Sequence, residues 1–288
     1  MSEKLLIIAG SGDLPRLLAE KMRDCGREVC ILALRGYAGE WVHDFPHGRM
    51  RMLQLSKIYR FMKRFGAVEI CMAGGCQRPG YLEVLPVILD FRAFLLAYRT
   101  YKLLKNGDNV MFSGLLKLIS PNFVRIVTVS DVCPDFVASE GVIGAVRPSS
   151  SDMNDIERAR VITNALGRVD VGQCAVVSRG LCLAVETIFG TDTMLGALAE
   201  SKSRDKGQGW FSGGVMYKGS KPQQDLRIDM PTIGPETILA ASKAGLRGVA
   251  VLSGKVLIID AKKMINLADQ HKIFLYGVPE IRVEEDKQ

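Results

Sequence analysis

The chain has 288 residues, of which 48% are hydrophobic and 24% are charged, and it carries a formal net charge of +7. This composition is ordinary for a globular protein, and the length suffices for two domains. No apolar run approaches the ~18 residues that a membrane-spanning helix needs. The seven cysteines are scattered without a Cys-x-x-Cys pair, which favours reduced core thiols over disulfides or a metal site. We therefore expect a cytoplasmic protein.

The first half of the chain alternates short apolar runs with amphipathic stretches. The apolar runs predict buried strands at residues 5–8, 28–34, 68–73 and 123–129. The amphipathic stretches predict helices after the turn at residues 10–15, after Ser56 as the cap, and across residues 81–119. This β-α-β rhythm predicts an α/β fold: a Rossmann-like parallel sheet with flanking helices, in a domain that spans residues 1–145.

The turn after the first strand carries part of a dinucleotide-binding fingerprint. Gly10 and Gly12 match its first two glycines, but Pro15 stands at the third. Arg35 follows the second strand, where an acid would contact the ribose of NAD. The pattern therefore favours a tight turn without a dinucleotide, and an NADP-dependent oxidoreductase stays open as an alternative.

A local excess of positive charge lies between Arg49 and Gly66, which hold six basic residues and no acid. Ile58, Phe61 and Met62 lie on one stripe of the helix predicted there. A basic patch of this kind attracts phosphates on a nucleic acid, an anionic lipid or a nucleotide. A solvated helix face remains the first account of most of these side chains.

The second half begins after a linker. Residues 146–152 contain the run Arg-Pro-Ser-Ser-Ser, which predicts the boundary before a second domain at residues 153–288. Helices are predicted at residues 153–166 (capped by Ser151 or Asp152), 236–244 and 262–271. Hairpins are predicted through Arg179-Gly180 and through residues 253–255. We expect a mixed α+β domain.

Residues 223–230 alternate between polar and apolar side chains and predict an extended strand. One face would present Asp225, Arg227 and Asp229, while Leu226 would point to the core. The pattern fits a surface strand of mixed charge as well as a site that holds a metal ion and a phosphorylated substrate. The alternation alone does not decide between these interpretations.

Carboxylates gather at the ends of short elements in this half of the chain, namely Asp170, Glu186, Asp192, Asp225 and Asp229. Together with Lys218, Lys221 and Arg227 they would make a Mg²⁺–phosphate site. Asp192 could instead cap the helix that follows Gly190.

Six motifs occur in an order that belongs to one enzyme family. They lie at residues 10–15, 34–36, 72–74, 170–173, 190–192 and 221–235. Over residues 5–278 the chain resembles the two-domain UDP-2,3-diacylglucosamine pyrophosphatases of lipid A biosynthesis. The resemblance implies Mg²⁺-assisted hydrolysis of UDP-2,3-diacylglucosamine to 2,3-diacylglucosamine 1-phosphate (lipid X) and UMP, with water attacking the sugar-side phosphorus. It also implies a homodimer at the inner-membrane surface, and no nucleic-acid partner.

Site residues follow from the resemblance and the charge pattern. The essential aspartate of the family's motif falls on Asp225, as a base or a metal ligand. The catalytic assignment comprises Asp225, Arg227 and Asp229, and the metal ligands comprise Asp225, Asp192 and Glu186. The substrate-binding assignment comprises Gly10, Gly12, Gly74, Gln173, Thr191, Lys218, Lys221 and Gln224. Phe189 stands where the family usually has an acid before Gly-Thr-Asp. A nucleotide-sugar or phospholipid sensor without turnover remains the alternative function.

Overall fold

The computed structural model describes residues 3–51, 54–75, 125–204, 213–227 and 229–280. The chain divides into two compact units. The first comprises Met1–Asp135 together with Asp225–Asp229, and the second comprises Phe136–Gln224 and Met230–Gln288. The boundary predicted at residues 146–152 lies C-terminal to this division.

The first unit contains a five-stranded sheet in the order β3-β2-β1-β4-β5, in which every pairing is parallel. Its strands are β1 (Leu5–Ala9), β2 (Val29–Leu34), β3 (His47–Met50), β4 (Glu69–Ala73) and β5 (Arg125–Val127). Its helices are α1 (Leu14–Asp24), α2 (Leu55–Phe65) and α3 (Val129–Val132), with 3₁₀ turns at Glu40–Asp44 and Pro134–Phe136. All five residues of β1 are buried, as a central strand covered on both faces requires. The predicted Rossmann-like sheet is confirmed.

The sheet order reverses between β1 and β4, and ligands of open α/β sheets bind at the carboxyl ends of strands at such a point. Gly10 and Gly74 lie at these two strand ends. A Cβ on Gly10 would collide with the carbonyl oxygen of Gly75, and one on Gly74 with that of Ser11. Ser11 and Gly75 exchange backbone hydrogen bonds of 2.8 and 3.1 Å. The glycines therefore allow the two loops to touch.

The apolar stripe predicted for α2 is confirmed, because Ile58, Phe61 and Met62 are buried. The helix starts at Leu55 after Gln54, so Ser56 is not its cap. Arg60, Lys63 and Arg64 are exposed on the same helix. The helix predicted at residues 81–119 and the beginning of the strand predicted at 123–129 lie outside the described residues.

The second unit is built on a mixed six-stranded sheet in the order β6-β13-β11-β9-β7-β8. Its strands are β6 (Gly141–Ile143), β7 (Cys174–Ser178), β8 (Leu181–Val185), β9 (Val215–Lys218), β11 (Gly248–Leu252) and β13 (Phe274–Val278). Strands β9, β11 and β13 run parallel to one another, while β6, β7 and β8 pair antiparallel. The helices are α4 (Ser150–Arg168), α5 (Gly190–Arg204), α6 (Pro235–Lys243) and α7 (Ala261–Gln270). The predicted mixed domain is confirmed.

One of the two predicted hairpins is present. Strands β7 and β8 are joined through Arg179 and Gly180, which both adopt positive φ, as a two-residue hairpin turn needs. The second hairpin prediction was wrong. Strand β12 (Leu257–Ile258) does not pair with β11 but runs parallel to β10 (Thr232–Ile233) in a separate two-stranded sheet.

Helix α4 begins earlier than predicted. Ser149 is its N-cap and forms a reciprocal capping box with Asp152, so Asp152 is the third helical residue and not the cap. The last three residues of the run predicted as a linker, 150–152, thus belong to a helix.

The described cysteines form no disulfide, and the predicted core location holds for Cys30, Cys71, Cys133 and Cys174 but not for Cys25 and Cys182, which are exposed. Burial raises the pKa of Cys30 and of Cys71 to about 12, so both thiols stay protonated at neutral pH. None of the described helices has both the length and the apolar character to span a bilayer.

Candidate functional site

The segment that carries Asp225 is not the strand that the alternation predicts. Residues 222–223 and 226–227 form turns, and extended pairing begins only at β10. The backbone N–H of Gln224 donates to the carbonyl of Lys221 at 3.0 Å, and the N–H of Lys221 donates to Gln224 Oε1 at 3.1 Å. These local hydrogen bonds compete with a strand ladder and close the chain into a loop.

Asp225 and Arg227 form a two-pronged ion pair within this loop. The guanidinium of Arg227 donates from Nε to Oδ1 at 2.8 Å and from Nη2 to Oδ2 at 2.6 Å. The hydrogen bond to Asp225 raises the pKa of Arg227 above its usual value. Asp225 also accepts the backbone N–H of Arg227 at 3.1 Å. The side chain of Asp225 is 15% exposed and that of Arg227 is 50% exposed, so the guanidinium lies on the wetter side of the pair.

Lys221 begins the same loop and is tied to the end of α4. Its ammonium contacts Asp170 Oδ1 at 2.6 Å. Asp170 adopts a positive φ of 58°, which is uncommon for a residue with a side chain. Lys221 and Gln224, both predicted to bind substrate, are therefore adjacent to each other and to a carboxylate.

A buried polar network lies at one end of the second unit's sheet. The ammonium of Lys218 donates to Thr191 Oγ1 at 2.9 Å, and the Thr191 hydroxyl donates to Glu186 Oε1 at 2.6 Å. The other oxygen, Glu186 Oε2, accepts the backbone N–H of Gln173 at 3.0 Å. The sheet brings these residues together, because Lys218 ends β9, Gln173 precedes β7 and Glu186 follows β8. Four residues that the sequence singled out thus form one cluster.

Two further features of this cluster are a close approach between two backbone segments and a buried oxygen atom that lacks a hydrogen-bond partner among the described residues. Gly172 approaches the backbone of Glu186 so closely that a Cβ there would collide with its carbonyl oxygen. The amide oxygen of Gln173 is inaccessible to solvent and has no hydrogen-bond partner in the part of the chain that the structure describes. Buried polar atoms in native proteins are nearly always paired, so the amide oxygen of Gln173 is an exception among the described residues.

The predicted metal ligands differ in how well they suit Mg²⁺. Both carboxylate oxygens of Glu186 already accept hydrogen bonds and the residue is buried, so Glu186 does not fit. Asp192 is exposed in the first turn of α5, and Asp225 belongs to the other compact unit. Among the described residues no group of three or more His, Cys, Asp or Glu could hold a metal ion. Mg²⁺ commonly binds through one or two protein carboxylates together with phosphates of the substrate. Asp192 or Asp225 could supply such a carboxylate.

The three glycines predicted to bind substrate lie in the first unit. Gly10 and Gly74 have the packing role described above, and Gly12 adopts a positive φ of 85° next to open space. Asp13 directly precedes α1, so a carboxylate lies where a dinucleotide pyrophosphate would meet the helix N-terminus. This placement speaks against the NADP alternative.

The sequence did not assign Gly172 a role in the site, although it lies in one of the family motifs, and it counted Asp170 only among the carboxylates of the proposed Mg²⁺–phosphate site. The signal available for Gly172 was a glycine two residues before a strand, where a glycine can permit a close backbone approach. For Asp170 the sequence offered no sign that its partner is Lys221.

A unit with an open parallel sheet and a second unit with a mixed sheet and a Lys–Thr–Glu network define a two-unit α/β protein. Profiles of the LpxI N-terminal and LpxI C-terminal domains match residues 4–136 and 139–276. The protein named UDP-2,3-diacylglucosamine pyrophosphatase LpxI from Caulobacter vibrioides is 32% identical over 275 residues, which cover 96% of this chain and 97% of that protein. The chain belongs to the LpxI family, and the resemblance inferred from the sequence motifs is confirmed.

Among solved structures, the UDP-glucose 4-epimerase of Thermus thermophilus complexed with NAD aligns over 96% of this chain and 86% of its own. The identity is 12% and the TM-score is 0.28, values too low to carry any structural or functional conclusion.

Proposed function

We propose that this protein hydrolyses UDP-2,3-diacylglucosamine to 2,3-diacylglucosamine 1-phosphate and UMP. The observation that carries the proposal is the match to a protein of that activity along almost the whole length of both chains. The reaction belongs to lipid A biosynthesis, the pathway in which the family's substrate occurs. The protein is accordingly a hydrolase that acts on a pyrophosphate bond.

In the proposed reaction, the oxygen of water attacks the phosphorus that carries the sugar. The bond from that phosphorus to the bridging oxygen breaks, and the bridging oxygen leaves with UMP. Water thus supplies one oxygen to the lipid phosphate, and its proton must be accepted by a base or by solvent. Charge builds up on the leaving phosphate, so cationic donors near it stabilise the transition state.

Asp225 and Arg227 are suited to this chemistry. An ion pair requires an ionised carboxylate, and an ionised carboxylate can orient water or accept its proton. Arg227 is the more exposed partner of the pair and can place guanidinium N–H groups on phosphate oxygens. Asp229, whose N–H donates to the Asp225 carbonyl at 3.3 Å, closes the turn that holds the pair.

Mg²⁺ is the cofactor of this proposal, with Asp225 or Asp192 as the protein ligand. When bound, the ion would polarise phosphate oxygens and offset their negative charge. The second unit contributes cations of its own, Lys218 in the buried network and Lys221 bound to Asp170.

A two-chain lipid substrate also implies a membrane surface. We propose that the exposed basic residues of α2, Arg60, Lys63 and Arg64, face anionic lipid. Homodimerisation is a further part of the proposal that rests on the family, and light scattering at twice the mass of one chain would support it.

The direct test is product analysis with the purified protein, UDP-2,3-diacylglucosamine and Mg²⁺. We expect UMP and 2,3-diacylglucosamine 1-phosphate in equal amounts. Substrate binding without either product would contradict the proposal and favour a sensor. A parallel assay for NADP reduction with this protein should be negative.

A further inference from the structure

The buried network of Gln173, Glu186, Thr191 and Lys218 contains two ionisable side chains, those of Glu186 and Lys218. Glu186, Thr191 and Lys218 are only 6%, 9% and 7% exposed. A charged side chain buried this deeply is costly unless it is paired and hydrogen-bonded. The network therefore needs an explanation beyond packing.

The direction of each hydrogen bond in the network is fixed by chemistry. An ammonium has donors only, so Lys218 must donate to the oxygen of Thr191. The single hydroxyl proton of Thr191 then goes to Oε1 of Glu186, which accepts it. Glu186 also accepts the N–H of Gln173 and therefore acts only as an acceptor.

Two groups in the network have hydrogen-bonding capacity that the described residues do not use. An ammonium has three donors, and the bond to Thr191 is the one hydrogen bond that Lys218 makes within the described chain. The amide oxygen of Gln173, an acceptor, also lacks a partner there. The two groups belong to neighbouring segments, since the N–H of Gly219 donates to the Gln173 carbonyl at 3.0 Å. An ammonium with spare donors suits a ligand that carries an anionic oxygen.

We propose that Glu186 is a positioning residue and not a metal ligand: through Thr191 it holds the Lys218 ammonium toward a phosphate of the substrate. The inference rests on the proposed function and deepens it by naming the subsite. The hydrogen bonds from Thr191 and Gln173 already occupy both oxygens of Glu186, so neither oxygen is left to coordinate Mg²⁺.

The test measures phosphate binding without metal. Calorimetry in EDTA would compare UMP with glucosamine 1-phosphate, which carry the phosphates of the two sides of the substrate. Glu186→Gln keeps the size of the side chain but removes its charge, and Thr191→Val removes the hydroxyl that links Glu186 to Lys218. We expect each variant to bind at least one probe about 10-fold or more weakly, as loss of a charge-assisted hydrogen bond predicts. The probe that is lost identifies the phosphate that Lys218 binds.

Glu200→Gln is the matched control, because Glu200 lies exposed on the same helix as Thr191. This variant should bind both probes with the affinity of the wild type. If Glu186→Gln does not fold, as judged by its melting temperature, Thr191→Val alone decides. Wild-type affinity for both probes in a folded variant would overturn the proposal. The proposal would also be overturned if a variant bound both probes normally in EDTA but needed a higher Mg²⁺ concentration for turnover, because that behaviour is the signature of a metal ligand. If the wild type binds a probe but releases no UMP from substrate, the pyrophosphatase proposal fails while the subsite stands.

Discussion

Asp225 and Arg227 are bound by two guanidinium hydrogen bonds of 2.8 and 2.6 Å, although only one residue separates them in the chain. Side chains two apart in an extended strand also share a face, but there they rarely meet in this planar geometry. The turn at residues 226–227 brings the guanidinium back onto the carboxylate. The pair is therefore a product of the loop.

The first prediction concerns Arg227. Arg227→Met should lower kcat about 10²–10³-fold, because removing a donor aimed at developing charge has effects of this size. The measurement is steady-state UMP release. Arg204→Met is the control, since that arginine is 82% exposed at the end of α5 and should leave kcat unchanged. A loss that appears only in KM would show that Arg227 binds the ground state and the transition state equally.

Glycine positions give a prediction about stability. Gly172→Ala should lower both the melting temperature and substrate affinity, because its Cβ would collide with the Glu186 carbonyl and shift the buried network. Gly196→Ala, in the interior of α5 with nothing within 4 Å, should instead raise the free energy of unfolding by about 0.5–1 kcal/mol. Thermal unfolding of both variants checks the pair. Equal effects would mean that the approach of Gly172 to Glu186 has no energetic importance.

Much of the first unit could be predicted from sequence, because its signals are local. β1 and β2 are continuous apolar runs, β4 is apolar after its first residue, Glu69, and the stripe of Ile58, Phe61 and Met62 in α2 follows helical periodicity. Such patterns need no knowledge of distant partners, and the parallel sheet follows from their order.

The errors arose where distant or side-chain partners override a local pattern. Residues 223–230 alternate like a strand, but hydrogen bonds between Lys221 and Gln224 and between Asp225 and Arg227 make turns instead. In the false hairpin, Ser253 donates to the carbonyl of Val278 and Gly254 to that of Ala138, so the turn is held by other segments.

The sequence named the four residues of the buried network but did not show how they are arranged. Glu186 looked like a metal ligand because it is an acid near Thr191 and Asp192. Its role depends on the Gln173 N–H, which is 13 positions away and reaches it only through the β7–β8 pairing. No sequence pattern encodes that contact.

A third prediction addresses the membrane. Replacing Arg60 and Arg64 with Glu should weaken binding to anionic vesicles, and added salt should weaken wild-type binding. Vesicle co-sedimentation at several salt concentrations measures both effects. Lys262 and Lys263 on α7 are also exposed, so their double replacement by Glu makes the same change in net charge elsewhere. If the two double variants lose binding equally, net charge and not α2 is responsible.

The fourth prediction is the position of bond cleavage. Turnover in ¹⁸O water should place the label in 2,3-diacylglucosamine 1-phosphate and leave UMP unlabelled, because water attacks the sugar-side phosphorus in the proposed reaction. Mass spectrometry of both products reads the result. Label in UMP would mean attack at the other phosphorus and would require Asp225 to act there.

The most direct test of the account is the turnover of Asp225→Asn. The amide keeps the size of the side chain but cannot accept a proton from water, so kcat should fall about 10²–10⁴-fold, the usual worth of general-base assistance. Substrate affinity and melting temperature should remain near the wild-type values, and Asp135→Asn, an exposed aspartate paired with Lys21, serves as the control. A loss of only a few-fold in kcat would contradict the role of Asp225 and leave its pair with Arg227 as a structural feature of the loop.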